Sequence, residues 1–346
     1  MKPLTLSILF LSLTALSSNA QTTIFSVPGA GTGDGQGTFP VSINSSGLVA
    51  GYYLDSSSMA HGFTYKSGVI TTFEAFGNAA FTYVSGMNES GTIVGWFQGH
   101  SSLSTGSLFG FVRSSSGAYT VIQGAIGNQD NQISTYPTAI NSSGEVTGYW
   151  TDNSSSGEMT TQAFVRSANG EITSFEYPGA AVTAAWAIND SGTVAGEFDG
   201  GGGFTMDAFG NFTDIVPPGD PLSILPTAIN SSGEVAGYIQ NTGSIPVEAF
   251  TYNPATQAYT VIDVPKALAF TGMTEHAVAM NDSGELAGGV ENSLGYFYGW
   301  TDNNATVREF SICGDGEVTF ATNLNNAGRL IGYCGTFNGP FDGFTH

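Results

Sequence analysis

The sequence predicts an all-β fold, namely a seven-bladed β-propeller with four antiparallel strands in each blade. Two repeated features predict it: the motif Asn-x-x-Gly-x-x-x-Gly occurs seven times, and a small residue followed by an aromatic one comes after each copy. Successive copies begin 41 to 53 residues apart. Such a period indicates one small supersecondary unit that recurs around a ring or along a stack. The apolar residues show no helical period, so each unit is expected to be a small sheet.

The seven motif copies define units 1 to 7. In each copy the Asn is expected to open a tight turn, because its side chain can bond the backbone two residues on. The first Gly is expected to close the turn in the left-handed conformation that other residues resist. From unit 1 to unit 7 the motif begins at Asn44, Asn88, Asn141, Asn189, Asn230, Asn281 and Asn325.

Each turn is expected to join the first two strands of its unit. An apolar run such as residues 138–140 precedes the turn, and an alternating run such as residues 145–149 follows it, with the period of two typical of a half-buried strand. The small-aromatic pair predicts a third strand, and a fourth follows, for example at residues 172–175. The pairs are Gly62-Phe63, Gly110-Phe111, Ala163-Phe164, Ala208-Phe209, Ala249-Phe250, Gly299-Trp300 and Gly343-Phe344.

The fourth strand of unit 7 is missing from the C-terminal end, because the chain stops at His346 directly after Gly343-Phe344. A matching segment lies at the other end of the chain, at residues 22–30. The N-terminal strand is therefore expected to complete the last blade and to close the ring, which limits exposed sheet edges.

Residues 1–20 have the pattern of a secretory signal peptide: Lys2, an apolar stretch, and a small-x-small cleavage site that ends at Ala20. Residues 21–346 are then expected to be a single propeller domain. We expect a secreted or periplasmic monomer with no membrane insertion, since no other long apolar segment occurs.

The chain is strongly acidic, with 28 Asp and Glu against seven Lys and Arg and a net charge of −21. Phosphate groups are bound by cationic side chains, so nucleic acid is not an expected partner. The two cysteines, Cys313 and Cys334, are expected to form a disulfide in an exported chain. Two separate buried thiols are the alternative.

The connections between the second and third strands are where we expect a ligand site, because they vary in length and carry residues that the repeat does not require. By strand order they share one face with the crossovers between units; we call it the loop face. Aromatic rings beside carboxylates suit carbohydrate binding. The alternative is that an aromatic after the second Gly packs between neighbouring units. The candidate ligand-binding residues are Tyr53, Trp96, Trp150, Asp152, Phe198 and Asp199.

No catalytic residue, metal site or cofactor is expected, because the sequence has no complete catalytic or phosphate-binding motif. The four histidines have no metal-ligand spacing. The Asp-Gly runs, such as residues 199–202, lack the oxygen-ligand spacing of a calcium loop.

With both repeated elements in place, residues 22–346 resemble the bacterial extracellular HAF-repeat proteins, which are named for a His-Ala-Phe signature. The His of that signature is present only at His61, and Gly replaces Ala in four units. The resemblance implies a secreted, propeller-like protein and carries over no catalytic residues.

Two functions follow from these observations. The preferred one is a secreted binding or scaffold module for carbohydrate or an extracellular protein. The alternative is a polysaccharide-degrading glycosidase or lyase, because propellers host such enzymes with carboxylates around the channel. Its candidate carboxylates are Asp55, Asp152, Asp199 and Glu291.

Overall fold

The computed structural model of the chain describes residues 21–77, 79–99, 107–123, 133–152, 160–218, 221–241, 247–262, 278–291, 297–303, 305–314, 317–336 and 338–346. Within these residues the fold is all-β, and the single helix is a short 3-10 turn at Ala75–Gly77. The signal-peptide prediction for residues 1–20 lies outside the described residues.

The strands follow the units in sequence order. Ahead of unit 1 lies β1 (Thr23–Phe25). Unit 1 contains β2 (Gly37–Ile43), β3 (Val49–Leu54), β4 (Ala60–Lys66) and β5 (Val69–Phe73). Unit 2 contains β6 (Ala79–Met87), β7 (Ile93–Gly99), β8 (Phe109–Arg113) and β9 (Tyr119–Ile122). Unit 3 contains β10 (Ile133–Ile140), β11 (Val146–Asp152), β12 (Thr160–Arg166) and β13 (Ile172–Phe175).

The same order continues in the second half. Unit 4 contains β14 (Thr183–Ile188), β15 (Val194–Phe198), β16 (Gly202–Met206) and β17 (Phe212–Ile215). Unit 5 contains β18 (Pro221–Ile229), β19 (Val235–Asn241), β20 (Val247–Asn253) and β21 (Ala258–Ile262). Unit 6 contains β22 (Ala279–Met280), β23 (Leu286–Glu291), β24 (Phe297–Asp302) and β25 (Val307–Phe310). Unit 7 contains β26 (Val318–Leu324), β27 (Leu330–Gly335) and β28 (Phe341–Thr345).

Units 2 to 6 each form a four-stranded antiparallel sheet in sequence order. The strands of units 1 and 7, together with β1, form an eight-stranded sheet. Within it, β1 pairs antiparallel with β28, as the sequence predicts for the N-terminal strand. The two halves of this sheet meet in a single parallel bridge pair, Gly37 with Phe341.

The first strands are the innermost, because they contact one another from unit to unit, whereas each fourth strand packs mainly on the third strand of its own unit. The core lies between neighbouring sheets. One cluster, for example, joins Val94 and Ile122 of unit 2 with Val146 and Phe164 of unit 3. This radial arrangement of small sheets is that of a propeller.

The Asn turns form a hydrogen-bonded cycle. The first Gly of every motif has φ between 74° and 88°, the left-handed region that the sequence predicts. Six of the seven Asn side chains donate Nδ2–H to a backbone carbonyl of the next turn over 3.0 to 3.3 Å, including Asn325 to Asn44. Between units 5 and 6 the Ser231 N–H donates to Asp282 Oδ1 at 2.8 Å. The turns are thus linked from first to last and back again.

The second Gly of each motif makes room for the aromatic of the third strand. Gly51 pairs with Phe63 and Gly148 with Phe164, and the other units repeat this pairing. In six units a Cβ at this Gly would lie only 1.8 to 2.3 Å from a first-strand carbonyl oxygen. The seven aromatics are at most 1% exposed, so each fills the core opposite a required glycine.

The assignment of Ala208-Phe209 to the third strand of unit 4 is wrong. The aromatic paired with Gly196 is Phe204, which is fully buried, whereas Phe209 lies in the following turn and is 91% exposed. The true pair is Gly203-Phe204, and the loop before β16 is only residues 199–201. The misassignment arose because Ala208-Phe209 has the spacing seen in the other units.

Six first strands carry a β-bulge just before the Asn turn. In four of them the bulged residue is Ser or Thr, and its hydroxyl donates to a backbone carbonyl of the next unit at 2.6 to 2.9 Å. These bonds form a second set of links between units. The bulged residues are Val41, Ser85, Thr138, Trp186, Thr227 and Thr322.

Cys313 and Cys334 form a disulfide with Cα atoms 5.8 Å apart. Cys313 follows the fourth strand of unit 6, and Cys334 lies in the second strand of unit 7. The bond therefore joins two neighbouring units covalently.

Candidate functional site

Trp96 and Trp150, the two tryptophans among the predicted ligand-binding residues, both pack against other side chains. Trp150 is 2% exposed, lies in the core between units 2 and 3, and donates Nε1–H to Ser174 Oγ at 3.3 Å. Trp96 is half-buried: Tyr83 stacks on it at 4.2 Å, and Tyr136 of the next unit meets it edge-on at 5.7 Å. Trp150 therefore offers no surface to a ligand, and Trp96 offers only part of its ring.

Tyr53 lies on the loop face beside the histidine of the signature. Its ring stacks on His61 at 4.9 Å between centroids. Burial, followed by the charges of Glu74 and Asp55, raises the pKa of Tyr53. His61 Nδ1 contacts Glu74 Oε1, and His61 Nε2 lies 3.4 Å from Asp55 Oδ2. Two carboxylates therefore flank one imidazole in unit 1.

Two acidic candidates, Asp55 and Asp199, accept hydrogen bonds from backbone N–H groups. Asp55 Oδ1 accepts the N–H groups of Ser57 and Met59 at 2.7 and 3.0 Å, and the Met59 bond is the largest cause that lowers the pKa of Asp55. Asp199 Oδ1 accepts the N–H groups of Ala181 and Val182 at 3.1 and 3.4 Å. These bonds give both carboxylates a structural role.

The remaining candidates lie at strand ends. Phe198 is the last residue of β15, and Tyr177 stacks on it at 3.7 Å. Asp152 is the last residue of β11 and is half-buried. Glu291 ends β23, and its side chain lies outside the described residues.

An aromatic belt lies on the two inner strands, directly before the bulges. In six units one first-strand residue pairs with the residue after the second motif Gly, for example Tyr83 with Trp96 and Tyr136 with Tyr149. Rings of neighbouring units then touch, as with Tyr52 and Tyr83, whose centroids are 4.8 Å apart. The belt supports the packing alternative for most aromatics at this position. Its pairs are Phe39-Tyr52, Tyr83-Trp96, Tyr136-Tyr149, Ala184-Glu197, Leu225-Tyr238 and Phe320-Tyr333.

Unit 4 differs from the other units at three inner positions, the two belt positions and the bulge. Ala184 and Glu197 replace the large apolar pair of the other units, and Trp186 occupies the bulge. Trp186 donates Nε1–H to Glu197 Oε1 at 3.2 Å. Burial raises the pKa of Glu197, although the indole bond opposes this shift. The pKa of Tyr149 is raised to about 12, mainly by burial and to a smaller extent by the neighbouring Tyr136 and Glu197.

Basic side chains are confined to one end of the ring, whereas acidic side chains lie at both ends. The Asn-turn end carries, for example, Glu145, Asp190 and Asp282 in or beside its turns. The five described Lys and Arg residues lie at or next to the end that carries the Asn turns; they are Lys66, Arg113, Arg166, Arg308 and Arg329. The loop face carries acids, among them Asp34, Asp55, Glu74, Glu176, Glu197, Asp199, Glu248, Glu317 and Asp342. Lys266, His100 and His276 lie outside the described residues. In the described part of the chain, the loop face therefore carries acids and no Lys or Arg.

A threonine near the start of several first strands went unnoticed in the sequence. Thr38, Thr82, Thr183 and Thr319 are 0% exposed, and each accepts a backbone N–H from the preceding crossover at 2.9 to 3.2 Å. A Thr stands six residues before the motif Asn in five units, which is the signal that points to this role.

Neither a metal-binding group of side chains nor a membrane-spanning helix is present among the described residues. No group of three or more His, Cys, Asp or Glu side chains there is arranged to hold a metal ion. Likewise, no helix in those ranges is long and apolar enough to cross a membrane.

The comparisons identify the fold. No family model and no curated protein matches the sequence. Among solved structures, the chain is similar to virginiamycin B lyase from Staphylococcus aureus, with 10% identity and a TM-score of 0.57 over 94% of this chain and 100% of that one. It is also similar to the β-propeller domain of the Trilobed protease from Pyrococcus furiosus, with 12% identity and a TM-score of 0.54 over 91% and 95% of the two chains. The fold is a β-propeller.

Proposed function

We propose that this chain is a secreted, seven-bladed propeller that acts as a binding module through its loop face. Seven blades are supported by the cycle of seven Asn turns and by the single bridge pair that joins units 1 and 7 within one sheet. The apolar stretch of residues 1–20 and the disulfide support secretion. The two repeated motifs support membership of the HAF-repeat proteins.

The observation that carries the binding role is the one-sided distribution of the described basic residues. The described basic residues lie at the Asn-turn end, and a negative loop face surrounds the inner strands. A focused negative potential attracts positive ligands and disfavours anions. We therefore propose a neutral or positively charged extracellular ligand, such as a neutral carbohydrate or a basic segment of a protein.

The contacts of the candidate carboxylates favour structural roles over catalysis. Asp55 and Asp199, two of the four candidates of the enzyme alternative, bond backbone N–H groups of their own loops or crossovers. We therefore propose binding without turnover.

The test is a binding screen of the purified chain 21–346 on neutral and cationic glycans and basic peptides, with and without calcium, followed by product analysis. Saturable binding without product is expected. Product formation, or no saturable binding to any of these probes, would overturn the proposal.

Site-directed blocking then identifies the face. Ser56 is exposed on the loop face and Ser115 is exposed in a turn at the opposite end. A bulky polyethylene glycol maleimide attached to Ser56→Cys should block the ligand, whereas the same label on Ser115→Cys should not. Equal effects of the two labels would contradict a loop-face site.

A further inference from the structure

The other units of the ring show what packing alone requires at the inner positions of unit 4. In units 1, 2, 3, 5 and 7 the belt pair consists of large apolar or aromatic residues. Unit 4 instead has Ala184 and Glu197. The bulge of unit 4 holds Trp186, where four other units have a hydroxyl that bonds to the next unit. Trp186 meets Tyr149 edge-on as Tyr136 meets Trp96, so packing accounts for a ring at this place. The repeat accounts neither for the carboxyl group of Glu197 nor for the indole N–H that bonds to it.

Stability does not explain Glu197 either. A half-buried carboxylate loses hydration, and this loss is offset only when the carboxylate is paired and hydrogen-bonded. Glu197 has one such bond, from the Trp186 indole, and no salt bridge to a described residue. A large apolar side chain, as in the other units, would fill the same place without that loss. A perturbed carboxyl group that the fold does not need indicates a functional site.

The neighbours of Glu197 indicate the class of ligand. Trp186 bonds to it directly, and Tyr149 of unit 3 packs against Trp186 with 5.4 Å between ring centroids. Aromatic rings attract a cation through their quadrupole, and a nearby carboxylate neutralises its charge. Glu197 is the penultimate residue of β15, so it lies near the negative loop face on an inner strand. An inorganic cation needs several oxygen ligands, and no suitable group of acids occurs in the described residues.

We infer that Trp186, Glu197 and Tyr149 form a binding site for an organic cation, that is, an alkylammonium group, in the inner wall of unit 4. This site rests on the proposed role of the loop face in ligand binding and names the chemistry of its ligand. Trp186 and Tyr149 contact the alkyl groups, and Glu197 supplies the counter-charge.

The test compares choline with its neutral isostere 3,3-dimethylbutan-1-ol, at constant ionic strength and neutral pH, by calorimetry and tryptophan fluorescence. Choline should bind saturably and at least about tenfold more tightly than the isostere, since cation–π and charge contributions are absent from the isostere. Equal binding of the two compounds, or no saturable binding of choline, would overturn the inference.

Three variants localise the site. Glu197→Gln should weaken choline binding at least about tenfold, and Trp186→Phe should weaken it about threefold, because Trp is the stronger cation–π partner. Glu248→Gln is the matched control: Glu248 is a half-buried acid of unit 5 near the loop face, so this variant changes the net charge equally. It should change affinity less than about twofold. Equal effects of Glu197→Gln and Glu248→Gln would show that general electrostatics, and not this site, binds the cation.

The outcome separates this inference from the proposed function. If a glycan or peptide binds the loop face and Glu197→Gln leaves choline affinity unchanged, the binding role stands and the cation site is refuted. Circular dichroism melting of each variant shows that loss of binding does not reflect loss of folding.

Discussion

Replacing Asn141 by Ala tests the cycle of turns that links the units. Asn141 is 3% exposed and makes bonds at both ends of its side chain. Its Oδ1 accepts Glu145 N–H at 2.8 Å and the Ser143 hydroxyl at 2.8 Å. Its Nδ2–H donates to Asn189 O at 3.1 Å and to Glu145 Oε2 at 2.8 Å. Asn141→Ala therefore leaves the Glu145 N–H and the Asn189 carbonyl without these partners.

The magnitude follows from these bonds. A typical net contribution is about 0.5–1.5 kcal/mol for each hydrogen bond, and a buried group left unsatisfied loses about 1–3 kcal/mol. The two partially buried side-chain bonds to Ser143 and Glu145 Oε2 add little, so we expect Asn141→Ala to lower the free energy of unfolding by about 2–4 kcal/mol. Guanidinium denaturation followed by tryptophan fluorescence measures this change.

Two further variants test whether the loss of stability comes from the Asn141 side-chain bonds. Ser142→Ala lies in the same turn with an exposed side chain, so it should change stability by less than about 0.5 kcal/mol. Asn141→Asp keeps the acceptor but loses the Nδ2 donor, so it should also destabilise the fold. A change below about 1 kcal/mol in Asn141→Ala, or equal effects of Asn141→Ala and Ser142→Ala, would refute the role of the cycle.

Three more predictions concern the hydrophobic core, the carboxyl group of Glu197 and the disulfide. Phe204→Ala should lower the free energy of unfolding by about 3–5 kcal/mol, and Phe209→Ala should change it by less than about 0.5 kcal/mol, in the same denaturation assay; the reverse order would contradict the corrected register. Because the folded-state pKa of Glu197 is raised from 4.5, its contribution is most stabilising below that value and falls as pH rises through the folded pKa, so Glu197→Gln should gain stability relative to the wild type between acidic and neutral pH. A parallel dependence for both proteins would exclude this linkage. Replacing Cys313 and Cys334 by Ser should lower the free energy of unfolding by about 3 kcal/mol, as expected for their separation of 21 residues, and an unchanged midpoint would show that the bond is dispensable.

The sequence predicts the turns well because their chemistry is local. An Asn that bonds its own turn and a Gly with positive φ need no information from distant residues, and all seven turns have this geometry. The N-terminal strand is also predictable, because its pattern matches the fourth strand that unit 7 lacks.

Features that depend on packing between units are harder to predict. Phe204 and Phe209 both follow small residues, and only the register with Gly196 shows which one enters the core. Trp150 resembles a loop residue in sequence, yet it packs against Val94 and Ile122 of the preceding unit. Local spacing does not reveal such contacts.

The local sequence of unit 4 does not point to the proposed cation site. The bulge shifts the register by one residue, so Trp186 and Glu197 are not obvious partners in the sequence. When the six bulged strands are aligned at the bulge, Trp186 and Glu197 differ from the residues of the other units. Comparing the units of the chain with one another therefore shows a difference that the local sequence of unit 4 does not.

Ligand binding is the proposed reason that unit 4 departs from the repeat. The triple variant Ala184→Leu, Trp186→Thr, Glu197→Tyr gives unit 4 the three residues that unit 5 has at these positions, Leu225, Thr227 and Tyr238. We expect it to be at least as stable as the wild type, because it replaces a desolvated carboxyl group with an aromatic, fills the place of the indole and returns a bulge hydroxyl, and to lose choline binding. Chemical denaturation and calorimetry on the same sample measure both properties. A triple variant that is less stable and still binds choline like the wild type would contradict this explanation.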